Sequence, residues 1–322
     1  MRVLVTGANG FVGNALLQQL VARGEVDAVA GLRRADAFAN NQLSCEQRVF
    51  GDLAAASSNA DSFRGIDVVV HAAARVHVMR EAVADPLATF RAVNVDGTLH
   101  LAAAAAKAGV KRFVFISSVK VNGEETLPDR AFTAADKPCP LDAYGVSKWE
   151  TEQALQAFCE QAGMQWVIVR PPLIYGPGVR ANFQRLMGGL ARGVPLPLGG
   201  LDNKRSLVAL DNLVDLLVIC LAHPAAANQI FMVSDGDDIS VAELARRLAV
   251  VLQRPARLLP VPRYWLRTSL EWLGRGPDAQ RLCSELCVDI AKNQSLLGWR
   301  PPHSVENALR ETAEHFMASS CK

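Results

Sequence analysis

The segment "AYGVSKWE" (143–150) sets a phenol, Tyr144, four residues before an ammonium, Lys148. On a helix such a pair shares one face, with Cβ atoms about 6 Å apart. A phenol with a pKa of about 10 is a poor acid–base group at neutral pH, and a nearby ammonium favours its phenolate. So placed, a tyrosine donates a proton to a carbonyl oxygen as a hydride arrives, or accepts one in the reverse direction. The lysine also reaches a nicotinamide ribose. A Tyr-x-x-x-Lys pair arises often by chance, so its meaning depends on the elements that carry it.

Two further stretches supply those elements. "FISSVKVNGE" (115–124) ends a strand on Ser117 and Ser118. A hydroxyl at that carboxyl edge orients the same carbonyl oxygen, and Ser118 is the expected one, with Ser117 satisfying loop backbone. "VTGANGFVGNALL" (5–17) follows the first strand and opens a helix, with glycines at 7, 10 and 13. Gly7 and Gly10 allow a tight turn and close approach of a pyrophosphate. Gly13 lets the helix lie on the strand, and the helix start at Phe11 and Val12 faces the negative charge. The expected ligand is a dinucleotide.

Which dinucleotide depends on the end of the second strand. An acidic residue there bonds a ribose 2′-hydroxyl. Asp27 lies at the right count from the glycines but at the strand's beginning. The end reads "GLRR", and Arg33 and Arg34 suit a 2′-phosphate, which favours NADP(H) and leaves NAD(H) possible. Asp52 and Leu53 follow the third strand near the adenine. "HAAA" (71–74) ends the fourth, where Ala72, Ala73 and Ala74 let the dinucleotide lie flat and His71 packs inside. Pro171, after the sixth strand, completes the expected cofactor contacts.

The chain has 322 residues, 50% hydrophobic and 20% charged, with a net charge of +2. That composition supports a large core and speaks against disorder. The net charge is too small to argue for nucleic acid or membrane binding, there is no basic tract, and neither a nucleic-acid partner nor membrane insertion is expected. The apolar run "LVDLLVICLA" (213–222) is half the ~20 residues of a membrane span. Seven scattered cysteines without a Cys-x-x-Cys pair read as reduced thiols in a cytoplasmic protein, with no metal site.

Through residue 171 short apolar strands at 2–7, 28–32, 47–51, 67–73, 112–118 and 165–171 alternate with helices at 11–23, 84–108 and 144–163. Strands apolar on both faces suit a covered parallel sheet. The fold class is α/β, a Rossmann-type doubly wound parallel sheet (1–171) with a smaller, mostly helical C-terminal lobe (172–322). Residues 206–234 are expected to return in part to the main sheet. Further helices are expected at 211–222, 240–253 and 303–317.

Taken together, "TGANGFVG", "FISSVKVNGE", "YGVSK", "RPPLIYGPG" and "LGWRPP" resemble the extended short-chain dehydrogenase/reductases of the nucleotide-sugar epimerase/dehydratase branch. The resemblance spans essentially the whole chain. It implies a Ser118–Tyr144–Lys148 triad, a UDP-sugar substrate, and a homodimer joined through a four-helix bundle. It also implies Asn182 and Arg205 at the sugar-nucleotide diphosphate, with Arg281 as the nearest candidate for a second arginine.

Three reactions compete within the branch. Dehydratases of this kind carry an Asp-Glu pair after the strand-five hydroxyl. Val119 and Lys120 stand there, so dehydration is disfavoured. Arg33 tilts the choice toward a reductase that exchanges NADPH. "ARVHVMRE" (74–81) and Lys120, read as a pocket residue, resemble reductases of bacterial surface-polysaccharide pathways such as O-antigen synthesis. These reduce a UDP-4-keto-6-deoxy-N-acetylhexosamine to a UDP-2-acetamido-2,6-dideoxyhexose, and that reduction is the leading expectation. The alternative is a UDP-hexose or UDP-N-acetylhexosamine 4-epimerase that keeps its NAD. Ketone reductases of the same superfamily need a more apolar pocket and no Arg205. A non-catalytic NADP(H)-binding regulator is the remaining reading, and it commonly lacks the tyrosine or lysine present here.

Overall fold

The computed structural model describes residues 1–34, 43–55, 60–76 and 85–320. Six strands lead the first half: β1 (Arg2–Thr6), β2 (Asp27–Leu32), β3 (Glu46–Val49), β4 (Val68–His71), β5 (Arg112–Ile116) and β6 (Gln165–Arg170). Helix α1 (Phe11–Arg23) joins β1 to β2. Helices α2 (Pro86–Phe90) and α3 (Gly97–Lys107) stand between β4 and β5, and α4 (Ala143–Ala162) precedes β6. The second half holds β7 (Leu173–Tyr175), α5 (Ala181–Ala191), β8 (Lys204–Arg205), β9 (Leu207–Ala209), α6 (Leu210–Ala222), β10 (Gln229–Met232) and β11 (Ile239–Ser240). Helices α7 (Val241–Val251), α8 (Arg263–Trp272), α9 (Gly276–Cys283), α10 (Ala291–Leu297) and α11 (Val305–Ser320) follow.

Among the described residues, seven strands form a parallel sheet in the order β10-β6-β5-β4-β1-β2-β3. Alternate residues of each strand feed opposite layers. Val3 and Val5 pack with Leu16, Leu17 and Leu20 of α1 and with α6. Leu4 points the other way, to Leu101 of α3, Leu155 of α4 and Phe113 of β5. Both faces are therefore dry, which explains why these strands read as continuous apolar runs. Chain order reverses between β1 and β4, so a crevice opens at their carboxyl ends.

The helix expected over 84–108 is not uniform. Residues 77–84, which include part of "ARVHVMRE", lie outside the described residues. From Pro86 the helix runs as α2, then as a π-helical turn over Arg91–Asp96, then as α3. Such wider turns cluster at functional sites. This one buries Asn94, whose carbonyl oxygen accepts bonds from the Thr98 hydroxyl at 2.6 Å and the Thr151 hydroxyl at 3.0 Å.

In the second half β7 pairs with β9, and β8 with β11. Tyr175, Phe183, Met187, Leu207, Leu248 and Leu309 form a separate core there. Of residues 206–234, α6 covers the main sheet beside α1 and β10 extends it past β6, while β9 stays with β7. The helices α5, α8, α9 and α10 add to the three that sequence periodicity marks. No helix among the described residues is long and apolar enough to cross a membrane.

Candidate active site

A cleft of about 350 Å³ opens at the crevice between β1 and β4. Its lining includes Gly7, Gly10, Arg33, Asp52, Leu53 and Ala72 through Ala74. Gly7 has φ +68°, and a Cβ there would lie 2.7 Å from the Ala73 nitrogen. Only glycine lets the turn after β1 rest on the chain leaving β4. Helix α1 begins at Gly10 with no capping side chain and no acidic residue in its first turn. The first N–H groups of a helix have no partner within it, and this helix starts beside Gly10 in the cleft lining, the kind of donor set a pyrophosphate needs. The side chains of Phe11 and Val12 pack on the core, so they present main-chain N–H groups, and buried Gly13 lies within the helix. These residues fit a dinucleotide.

Arg33 lines the cleft and is exposed; Arg34 is also exposed but lies outside the lining. Asp27 is the first residue of β2 and pairs with Arg2 at 2.8 Å, so it is a structural ion pair on the far edge of the sheet. Asp52 accepts a 3.0 Å bond from the Ala54 nitrogen at the cleft's rim. His71 is fully enclosed. Its ring nitrogens meet the Thr6 hydroxyl at 2.7 Å and the Thr98 hydroxyl at 3.0 Å. Burial, with help from the Lys148 charge, holds its pKa down to about 3, so it is neutral and structural.

Tyr144 stands in the first turn of α4, where the Asp142 carboxylate caps the Gly145 nitrogen at 2.6 Å. Lys148, one turn on, is buried and donates to the Ile116 carbonyl oxygen at 2.8 Å. Its Nζ lies 5.9 Å from the Tyr144 ring centre and 4.4 Å from that of Phe115. Ser118 follows β5 and its Oγ accepts from the Lys120 nitrogen at 3.3 Å. The turn it opens packs directly on α4: a Cβ on Gly145 would lie 2.9 Å from the Lys120 carbonyl oxygen. The fold thus brings Ser118, Tyr144 and Lys148 to one carboxyl edge of the sheet.

The electrostatics differ from the simple expectation. Burial lowers the Lys148 pKa to about 7, and burial with the Asp142 charge raises that of Tyr144. In these surroundings desolvation outweighs the mutual help of ammonium and phenolate. The tyrosine therefore rests as the acid.

Neighbouring contacts explain how the triad is held. Lys120 Nζ bonds the Glu124 carboxylate at 3.0 Å and also the Asp142 carboxylate, so its charge is spent joining the Ser118 turn to the cap of α4. Asn94, to which the sequence reading gave no role, bonds the Arg75 nitrogen at 2.9 Å and the Ser147 hydroxyl at 3.0 Å. It ties the cleft wall after β4 to the Tyr144 helix. An asparagine inside a helical stretch, where it is a poor former, is the one signal that pointed to it. Ser117 is buried, and its hydroxyl has no hydrogen-bond partner among the described residues. Pro171 follows β6 and accepts a 2.9 Å bond from the Val119 nitrogen.

In the second half Arg205 is half-buried and donates to the Ser284 carbonyl at 2.8 Å. Burial lowers its pKa, and the charge of Arg281 adds to the effect. Asn182 is exposed at the start of α5, and its side chain bonds Arg185. Arg205 thus lies against the segment that ends in Ser284, three residues beyond Arg281, and Asn182 stands on the surface.

A parallel sheet with a glycine turn at the crevice and Ser118, Tyr144 and Lys148 at its carboxyl edge is a Rossmann-type fold. Residues 3–234 match the NAD dependent epimerase/dehydratase family, and the chain belongs to that family. It is 43% identical over 319 residues to a UDP-glucose 4-epimerase of Vibrio cholerae, covering 99% of this chain and 96% of that one. The UDP-glucuronic acid 4-epimerase of Bacillus cereus, solved in complex with NAD, superposes with a TM-score of 0.80 at 21% identity, over 99% of each chain. MoeE5, solved in complex with UDP-glucose and NAD, gives 0.75 at 26% identity over the full length of both.

The full-length identity to a 4-epimerase overturns the expected 4-keto-6-deoxy-sugar reductase. The weak step was from Arg33 to NADPH and from NADPH to reduction. Arg33 is an exposed guanidinium on the cleft rim, and such a group donates to ribose hydroxyls as well as to a phosphate. It carries no information about whether hydride leaves the enzyme.

Proposed function

We propose that the protein is a UDP-sugar 4-epimerase, with UDP-glucose and UDP-galactose as the first pair to test. The observation that carries this reading is the 43% identity to a UDP-glucose 4-epimerase across nearly the whole of both chains. The buried Tyr144–Lys148 pair beside Ser118 supports it.

A nicotinamide dinucleotide, NAD in this reading, would supply when bound the hydride acceptor and donor that inversion at carbon 4 requires. Tyr144 takes the proton of the 4-hydroxyl and gives it back. Ser118 orients the same oxygen, and Lys148 holds the Tyr144 turn of α4 against the end of β5. Gly7, Gly10 and the start of α1 hold the pyrophosphate, Ala72 to Ala74 and Pro171 flank the dinucleotide, and Asp52 and Leu53 flank the adenine. Arg205 and Arg281 hold the substrate diphosphate, where paired guanidiniums suit paired phosphates. Lys120 acts by positioning. Packing of α3 on α4 leaves a helical face through which two chains would pair.

The test is to incubate the purified chain with UDP-glucose and no added cofactor, and to separate the sugar nucleotides. UDP-galactose should appear, with NAD released on denaturation. UDP-N-acetylglucosamine, run in parallel, sets the substrate range. A requirement for stoichiometric reduced cofactor, or no interconversion of either pair, overturns the reading.

A further inference from the structure

The chain's net charge of +2 hides an uneven distribution. Residues 254–284 hold six arginines (Arg254, Arg257, Arg263, Arg267, Arg275, Arg281) against Glu271 and Asp278, a local charge of +4, so the remainder of the chain sums to −2. The same segment carries exposed aromatics. Trp272 is 87% exposed, Tyr264 71% and Trp265 66%.

Helix α8 explains how they are arranged. Its inner face is satisfied: buried Leu266 and partly buried Leu270 pack with Leu198, Leu201 and Cys283. At 100° per residue, Tyr264, Trp265, Thr268 and Trp272 fall on the opposite face. The Tyr264 and Trp265 rings meet edge to face at 6.0 Å. Arg263 and Arg267 lie along the flank. The Arg267–Glu271 and Arg275–Asp278 pairs are exposed surface contacts at 2.9 and 2.7 Å, which hold their charges only weakly. Folding does not require the aromatic face, and water does not favour it.

We infer that this face docks on a lipid bilayer with anionic headgroups. Indole and phenol rings on one side of a short helix, flanked by arginines, suit the headgroup boundary, where rings enter and guanidiniums meet phosphates. The local charge of +4 suits an anionic surface, and the exposed rings lie side by side on a single helix, as insertion at a headgroup boundary requires. The patch borders the candidate diphosphate site. The Arg263 carbonyl lies 4.0 Å from Cys283 Sγ, and the next residue, Ser284, receives Arg205. Docking holds that end of the site at the bilayer surface, with no helix crossing it.

The test is co-sedimentation of the full chain with vesicles of phosphatidylglycerol and phosphatidylcholine, compared with phosphatidylcholine alone. The chain should bind the anionic vesicles, release as salt rises, and shift its tryptophan emission to the blue. The double variant Trp265→Ser, Trp272→Ser should lose about tenfold or more in vesicle affinity. Its thermal midpoint and its turnover of soluble UDP-sugar should be unchanged, so failure of the proposed epimerase activity is read separately. Absence of vesicle binding, or equal binding by the variant, overturns the inference. So does self-association of the chain that the variant abolishes without any vesicle binding, because a second copy then covers the face.

Discussion

Lys148 donates its ammonium to the carbonyl oxygen of Ile116 at 2.8 Å, tying the first turns of α4 to the last residue of β5. One bond thereby fixes Tyr144 and Ser118 relative to each other, because the serine follows that strand by two residues.

Tyr144→Phe should reduce turnover by about 10²- to 10⁴-fold, the usual worth of a positioned acid–base group. Dinucleotide content should be unchanged, since the cradle lies on β1 and α1. Chromatography of sugar nucleotides and of released NAD reads both. Near-normal turnover removes the phenol from the proton path.

Lys120 joins Glu124 and the Asp142 cap of α4. In Lys120→Met, kcat should fall about tenfold with KM nearly constant, as expected when an orientation is lost. Lys120→Arg should restore part of it. A rise in KM at constant kcat would instead place the side chain against the substrate.

Arg170 and Glu152 form an ion pair that is almost wholly buried, with Arg170 also donating to Asn122 at 2.9 Å. Removing one partner leaves a buried charge uncompensated. Glu152→Gln should lower unfolding stability by about 3–5 kcal/mol, measured by urea denaturation. Since Glu152 lies one turn beyond Lys148, turnover should fall as well.

His71 gives a pH signature. Its folded pKa is held to about 3, below the ordinary 6.5, so the folded state binds fewer protons between those values. The contribution is fully present above pH 6.5 and is lost as pH falls toward 3, at about 1.4 kcal/mol per unit. His71→Asn should flatten the acid side of a plot of thermal midpoint against pH. An unchanged slope means the ring protonates in place.

Arg33→Ala should leave NAD content unaltered and weaken any binding of NADP, judged by dialysis against each. Equal loss of both dinucleotides would show the guanidinium on a phosphate they share.

Much of this molecule is local in origin. The apolar runs specify strands buried on both faces. The glycines at 7, 10 and 13 specify a turn opening a helix, and the four-residue spacing of Tyr144 and Lys148 holds because α4 is regular there. Local rules did not supply what depended on partners distant in sequence. Asp27 satisfied a count but was claimed by Arg2. Lys120 stood beside Ser118 but was claimed by Asp142, and the sequence gives no sign of that pairing. The π-helical turn that buries Asn94 arises from contacts with α4, fifty residues and more away. The pKa values of Tyr144 and Lys148 moved apart because burial, a property of the assembled core, outweighed their proximity. Sequence alone thus determined the sheet, the glycine turn and the one-turn spacing of Tyr144 and Lys148, since these follow from periodicity and backbone geometry. Tertiary structure decided which charges are paired and which are dry, because both depend on what the fold packs against them.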